Sequence, residues 1–232
     1  MGKKQLISAM VFDFDGTLAE LTIDFALMKR KVSALAQGVL DEEDLVCPPE
    51  VPALEWLDQV ALELRDEDPD LALELTSRGR LVITAMEMDA ARQGRLFPST
   101  REMLVDLSAR GLGLAVVTRN CTAAVRAVFP DLLDFCPVFL AREDVPRVKP
   151  HPDHLLAAVA RLGADPARTL MVGDHPMDIQ TARNAGTLAA GVASGNVDLE
   201  ALSLAAPDFL ARDCPGLVAQ LLAAGLLPGS AP

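Results

Sequence analysis

Tyrosine is absent from the 232 residues, and tryptophan occurs once, at Trp56. Single-strand binders stack bases on aromatic rings, so that kind of nucleic-acid platform is excluded. Positive charge is also scarce. Lys and Arg number 21 against 33 Asp and Glu, a net charge of −12. Phosphate backbones select basic faces, so no nucleic-acid partner is expected. No apolar run reaches the roughly 18 residues a bilayer span requires, and no membrane partner is expected either. Lys3 and Lys4 precede an apolar stretch that breaks at Asp13, which is not the pattern of a secretory signal. Cysteine is limited to Cys47, Cys121, Cys136 and Cys214, widely spaced and without a C-x-x-C pair. A disulfide framework and a zinc site are therefore not expected. The expectation is buried free thiols in a reducing cytoplasm.

What is present is a chain half hydrophobic and 23% charged. That suits one large domain, or a core plus a smaller insert. Apolar runs at Leu6–Phe12, Gly113–Val117, Val138–Leu140, Thr169–Val172, Thr187–Val192 and Phe209–Ala211 predict six strands. Helical patterns lie between them. Ser99-Thr100-Arg101-Glu102 reads as a capping box opening a helix that Gly111 closes. Pro152–Leu162 and Met177–Ala185 read as helices stopped by Gly163 and Gly186. Strands alternating with helices give an α/β fold, a doubly wound parallel sheet. Such sheets bind ligands at the carboxyl ends of their strands. Asp13 and Asp15, Thr118, and Asp174 fall at that edge from three different strands.

Between about Ala19 and Phe97 this rhythm stops, and no strand is expected. Phe25, Met28, Val32, Leu35 and Val39 form one helical stripe, and Leu54, Leu57, Ala61 and Leu64 another. Leu81–Arg92 reads as a third helix, with breaks at Cys47-Pro48-Pro49 and Asp66–Asp70. The expectation is a core of residues 1–18 and 98–227, an all-helical insert of residues 19–97, and a frayed tail at 228–232.

The edge residues form a chemical set. Two carboxylates two positions apart beyond a buried strand repel when close, and a divalent cation is the natural remedy. Oxygen ligands favour Mg²⁺ over zinc. Asp174 and Asp178 supply further oxygens, Lys149 a positive charge and Thr118 a hydroxyl. Backbone amides after Thr118, at a helix start, suit phosphate oxygens. Together these make a phosphoryl-transfer kit.

Four segments now resemble a known family: Asp13-Phe-Asp-Gly-Thr-Leu18, Val116-Val-Thr-Arg-Asn120, Val148-Lys149-Pro150 and Val172-Gly-Asp174-His-Pro-Met-Asp178. They resemble the four signature motifs of the haloacid dehalogenase (HAD) superfamily, in the right order on the right strands. The helical insert resembles the small cap of the phosphoglycolate phosphatase-like subfamily. The resemblance implies a Rossmann-like HAD core with a helical cap domain. The implied activity is a Mg²⁺-dependent phosphatase acting on a small phosphorylated metabolite. By the same resemblance, Asp13 would attack phosphorus and form an aspartyl-phosphate. Asp15 would protonate the leaving oxygen and then activate water. Thr118 would hydrogen-bond a phosphoryl oxygen, and Lys149 would hold Asp13 and the phosphoryl group together. Asp13, Asp174 and the Asp15 carbonyl would bind Mg²⁺, with Asp178 supporting directly or through water. Gly16, Thr17, Arg119 and Asn120 would line the phosphate cradle. Dehalogenases of the superfamily lack a carboxylate at the Asp15 position, so the resemblance favours phosphate esters over carbon–halogen bonds.

Relatives commonly carry a small polar residue where this chain has His175, and a more polar stretch where it has Leu18–Leu21. His175 either contacts substrate or fills a loop, and the loop reading is preferred. His151 and His154 are expected at a helix start and on the surface, and Cys121 is expected as an inert packed thiol. Two rival readings stand: a phosphotransferase or mutase passing the phosphoryl group to a sugar phosphate, and a non-catalytic binding protein that kept the fold.

Overall fold

The computed structural model describes residues 6–229; the last three residues of the expected tail lie outside them. The chain divides into two compact units. One comprises the residues up to Leu21 together with those from Gly94 onward, and the other is Thr22–Gln93.

The first unit is built on a parallel sheet. Its strands are β1 (Ala9–Phe12), β4 (Gly113–Val117), β5 (Val138–Leu140), β6 (Thr169–Gly173), β7 (Leu188–Val192) and β8 (Phe209–Ala211). Their order is β5-β4-β1-β6-β7-β8, and every neighbouring pair is parallel. β1 is therefore central, with the chain leaving it to one side first and to the other later. Every residue of β1 and β6 is buried, which is why these strands read as continuous apolar runs rather than alternating ones. The register puts Phe12 opposite both Val116 and Val172, so the three strands end level.

The sheet is covered by α4 (Thr100–Ala109), α5 (Thr122–Val128), α6 (Leu132–Phe135), α7 (Pro152–Leu162), α8 (Pro176–Ala185), α9 (Leu199–Leu204) and α10 (Cys214–Ala223). Leu155, Ala158 and Val159 of α7 and Ile179 and Ala182 of α8 pack with Val11, Ala115 and Met171 of the sheet in one core. α7 and α8 end at Gly163 and Gly186, as the sequence predicts. Two expectations need correction. The Ser99 side chain makes no capping bond at α4; the neighbouring Thr100 Oγ1 instead donates to the Leu18 carbonyl at 2.7 Å. His154 lies not on the surface but fully buried on the inner side of α7, where its Nε2–H donates to the Leu140 carbonyl at 3.1 Å.

The second unit is helical: α1 (Phe25–Leu40), α2 (Ala53–Leu64) and α3 (Pro69–Gln93). Asp24 starts α1 by accepting from the Leu27 amide at 2.8 Å. Met28, Val32 and Ala36, each four apart, enter a core with Trp56, Leu57, Val60 and Leu75. Phe25 was expected in that stripe, but it is 59% exposed. The third helix is twice the predicted length, because the acidic stretch is a start rather than a break. Asp68 accepts from the Leu71 amide at 3.0 Å, and Pro69 fits a first helical turn, where its missing N–H costs nothing.

A short ribbon was not foreseen. β2 (Ala19–Glu20) pairs antiparallel with β3 (Arg95–Leu96) where the chain leaves and re-enters the first unit. Two residues are too few to show alternation. Among the described residues, no helix is long and apolar enough to cross a membrane.

Candidate active site

The carboxyl edge of the sheet carries the predicted residues. Asp13 follows β1, Thr118 follows β4 and Asp174 follows β6. After Asp13 the chain folds into a turn in which the Phe14 carbonyl accepts from the amides of Leu18 and Ala19, both at 3.0 Å. That turn ends strand geometry at Phe12. Asp13 and Asp15 have different side-chain partners.

Asp13 belongs to a charged cluster. Lys149 Nζ lies 2.7 Å from Asp13 Oδ1 and 2.7 Å from Asp178 Oδ1. The lysine is 2% exposed, far from the solvated charge that its isolated position could suggest. Burial opposes its charge, but the two carboxylates hold its pKa above the ordinary lysine range. The other Asp178 oxygen accepts from the His175 amide at 3.2 Å, while the His175 ring accepts from the Met177 amide. His175 is thus a cap of α8, in line with the loop reading. Asp174 accepts weakly from Thr17 Oγ1 at 3.5 Å. Burial, then the charges of Asp13 and Asp178, push the Asp174 carboxyl up to about 8. Burial likewise raises that of Asp13, against the pull of Lys149.

One carboxylate oxygen from each of Asp13, Asp174 and Asp178 can be chosen so that all lie within 4.8 Å of one another. The residues fit a hard divalent cation on the chemistry of this donor set. It is all oxygen, and three carboxyl groups meet one ammonium. The raised pKa values show the consequence: without further positive charge, the cluster favours holding a proton.

Asp15 stands apart from this cluster. Asn120 Nδ2 donates to both its oxygens, at 3.0 and 3.2 Å, and Thr118 Oγ1 lies 3.3 Å from Oδ2. Thr118 is itself fixed, since its amide donates to the Leu140 carbonyl at 3.1 Å. The backbone after it offers fewer anion donors than expected. The Asn120 amide is taken by Thr118 Oγ1 at 3.0 Å and the Cys121 amide by Asn120 Oδ1 at 2.8 Å. Arg119 reaches the Lys149 carbonyl at 2.6 Å with its guanidinium. Asn120 and Arg119 thus hold other predicted residues in place through the contacts seen here. All four cysteines are buried, and none forms a disulfide. Cys121 caps α5, its Sγ accepting from the Ala124 amide.

Two residues at this edge were not singled out from the sequence. Ser194 Oγ donates to the Gly16 carbonyl at 2.7 Å. Gly195 lies so close to Asp174 that a Cβ there would overlap its carboxylate. Gly16 approaches Asp174 from the turn in the same way, at φ +76°, a conformation that glycine adopts without penalty. The signal that could have found Ser194 and Gly195 was positional: they follow β7, the neighbour of β6, at the same sheet edge.

Comparison with known proteins agrees with this geometry. The family model described as haloacid dehalogenase-like hydrolase matches residues 7–186. A phosphoglycolate phosphatase of Salmonella paratyphi A is 33% identical over 237 residues, covering 90% of each chain. One from Shigella flexneri is 32% identical over 248 residues, covering 95% of each. A solved hydrolase structure from Pseudomonas syringae superposes with a TM-score of 0.65 at 24% identity, over 93% of this chain and 98% of the other. With its sheet order, its clustered carboxylates and a match over most of its length, the chain belongs to the haloacid dehalogenase-like hydrolase family.

Proposed function

We propose that this enzyme, a phosphoric monoester hydrolase by family and relatives, uses Mg²⁺ to hydrolyse a small phosphate monoester of the phosphoglycolate kind through a phosphoenzyme on Asp13. The observation that carries this reading is the separation of Asp13 from Asp15. Asp13 is paired with a buried ammonium, which offsets part of the burial that raises its carboxyl. The other, Asp15, accepts from Asn120 Nδ2 and Thr118 Oγ1 outside that carboxylate cluster, and takes the acid–base role in this reading. Two carboxyl groups in unlike environments take nucleophilic and acid–base roles.

In this mechanism an Asp13 oxygen bonds to phosphorus and the ester P–O bond breaks. The leaving oxygen takes the proton of Asp15. Asp15, now ionised, removes a proton from water, which attacks phosphorus and releases Asp13. Lys149 offsets the negative charge gathering between Asp13 and the phosphoryl oxygens, and Thr118 donates to one of those oxygens. Asp178 supports the site chiefly by fixing Lys149, since its oxygens already accept from Lys149 and the His175 amide. Mg²⁺ would be held by Asp13, Asp174 and the Asp15 carbonyl, and would supply positive charge to the phosphoryl oxygens. Gly16, Thr17, Arg119 and Asn120 line or brace the phosphate cradle. Residues 19–97 take the role of the specificity-setting cap in this reading.

The substrate class is supported by the named activity of the two relatives, and the reading places the enzyme in the cytoplasm. Phosphate release from a panel of phosphorylated metabolites tests it. Phosphoglycolate or a close analogue is expected among the best substrates, with Mg²⁺ required. Asp13→Asn is expected to abolish turnover with an unchanged fold. Turnover at the parental rate in that variant would overturn the assignment, and stoichiometric phosphate and alcohol would separate hydrolysis from transfer to a sugar phosphate.

A further inference from the structure

We propose that Gly195 and Ser194 are positioning residues for Asp174, the loop after β7 acting as a stop that fixes where that carboxylate can sit. The inference rests on the reading of Asp174, with Asp13, as a ligand of the proposed cation, and extends it to a segment outside the four motifs.

Asp174 is met by backbone from two loops. In the turn after β1, Gly16 brings bare backbone against the carboxylate. In the loop after β7, a Cβ at Gly195 would overlap both Oδ2 and Cγ of Asp174 and stand 3.1 Å from its Cβ. The two loops are tied together by the Ser194 hydroxyl, which donates to the carbonyl of Gly16 at 2.7 Å. Among the described residues, the side chain that donates to its carboxylate is Thr17, through Oγ1 at a long 3.5 Å. Placement of Asp174 therefore depends on shape more than on hydrogen bonds. A side chain at 195 would have to move the Asp174 carboxylate from its present place or open the loop.

Gly195 gives a cleaner test than Gly16. Its backbone does not adopt the left-handed conformation that L side chains avoid, whereas Gly16 does. Gly195→Ala therefore adds a methyl without left-handed backbone strain, and the nearest atoms it meets belong to Asp174.

The test is Mg²⁺ binding by the intact chain, measured by isothermal titration calorimetry and by the Mg²⁺-induced rise in Tm. Gly195→Ala is expected to bind Mg²⁺ at least about tenfold more weakly, the scale found when residues that orient a metal ligand are changed. Ser194→Ala loosens the tie to Gly16 and is expected to weaken binding by a smaller factor. A double-mutant cycle guards against a variant that folds poorly. In an Asp174→Ala background the carboxylate is gone, so adding Gly195→Ala is expected to change Tm much less than it does in the parent. A parent chain that binds Mg²⁺ beside a Gly195→Ala chain that binds it equally well would overturn the role of Gly195. Equal losses of Tm in both backgrounds would do the same. A parent chain that does not bind Mg²⁺ would overturn the cation-site reading and this inference with it.

Discussion

Replacing Lys149 with methionine keeps most of the side chain's length and removes its charge. In the folded protein the ammonium lies 2.7 Å from both Asp13 and Asp178 and is 2% exposed. Removing one partner of a buried ion pair costs about 3–5 kcal/mol, because the charges left behind remain desolvated. For a chain of this length, 1 kcal/mol moves Tm by roughly 2–4 °C, so Lys149→Met is expected to lower Tm by about 6–20 °C near neutral pH. The loss has a pH signature. Asp13 and Asp174 already have carboxyls raised by burial, and without Lys149 the pull that lowers them is gone. A carboxyl raised in the folded state stabilises it at acid pH, and that contribution disappears as pH rises through the folded pKa. The deficit of the variant relative to the parent is therefore expected to be small near pH 4 and to grow toward pH 8. Calorimetric scans of both proteins without metal, taken at intervals across that range, measure it. A difference below 2 °C at neutral pH, or one that shrinks as pH rises, would refute the claim that Lys149 neutralises this cluster.

Further outcomes follow from the same geometry. Asp15→Asn removes the group that exchanges the proton. It is expected to cut turnover of alkyl phosphates by about 10²–10⁴-fold, with a smaller loss for aryl phosphates, whose leaving groups need less acid assistance; steady-state kinetics on the two substrate types checks this. His154 is buried and neutral, its pKa lowered to about 4 by burial and by Lys149. The unfolded state therefore takes up the proton first. His154 is expected to contribute stability that is complete above about pH 6.5 and lost as pH falls toward 4. Urea titrations are expected to show a shallower acid loss in His154→Gln, which keeps a donor toward the Leu140 carbonyl, than in the parent. Mg²⁺ at 100 times its dissociation constant is expected to add about 2.7 kcal/mol of stability. Chelation should remove that gain, and at one fixed Mg²⁺ concentration the gain should grow between pH 6 and pH 8 as Asp174 loses its proton.

Much of this architecture is legible in the sequence because buried parallel strands are written as short apolar runs. Gly113–Val117 and Val138–Leu140 match the observed strands residue for residue, and the polar residues just beyond the runs mark the functional edge. What escaped reading depends on contacts between segments distant in the chain. Asn120 looks like part of a phosphate loop, yet its side-chain Nδ2 is spent on Asp15, 105 positions earlier. His154 looks like an ordinary surface histidine until the turn of α7 places it inward beneath Leu140. The β2–β3 ribbon has too few residues to carry a period. The start of α3 was hidden because Asp68 and Pro69 are breakers within a helix but favourable at its first turn. Gly195 has no local mark at all, since its importance lies in what a side chain there would strike.

The central claim, a nucleophilic Asp13 served by a separate acid in Asp15, is tested most directly by trapping. The Asp15→Asn protein, slowed in breakdown of the phosphoenzyme, is mixed with an aryl phosphate and Mg²⁺ and quenched in acid, and its peptides are mapped by mass spectrometry. The account predicts the mass of one phosphoryl group on the peptide containing Asp13, absent when Asp13→Asn is added. Turnover with no such adduct, or an adduct on any other residue, would contradict it.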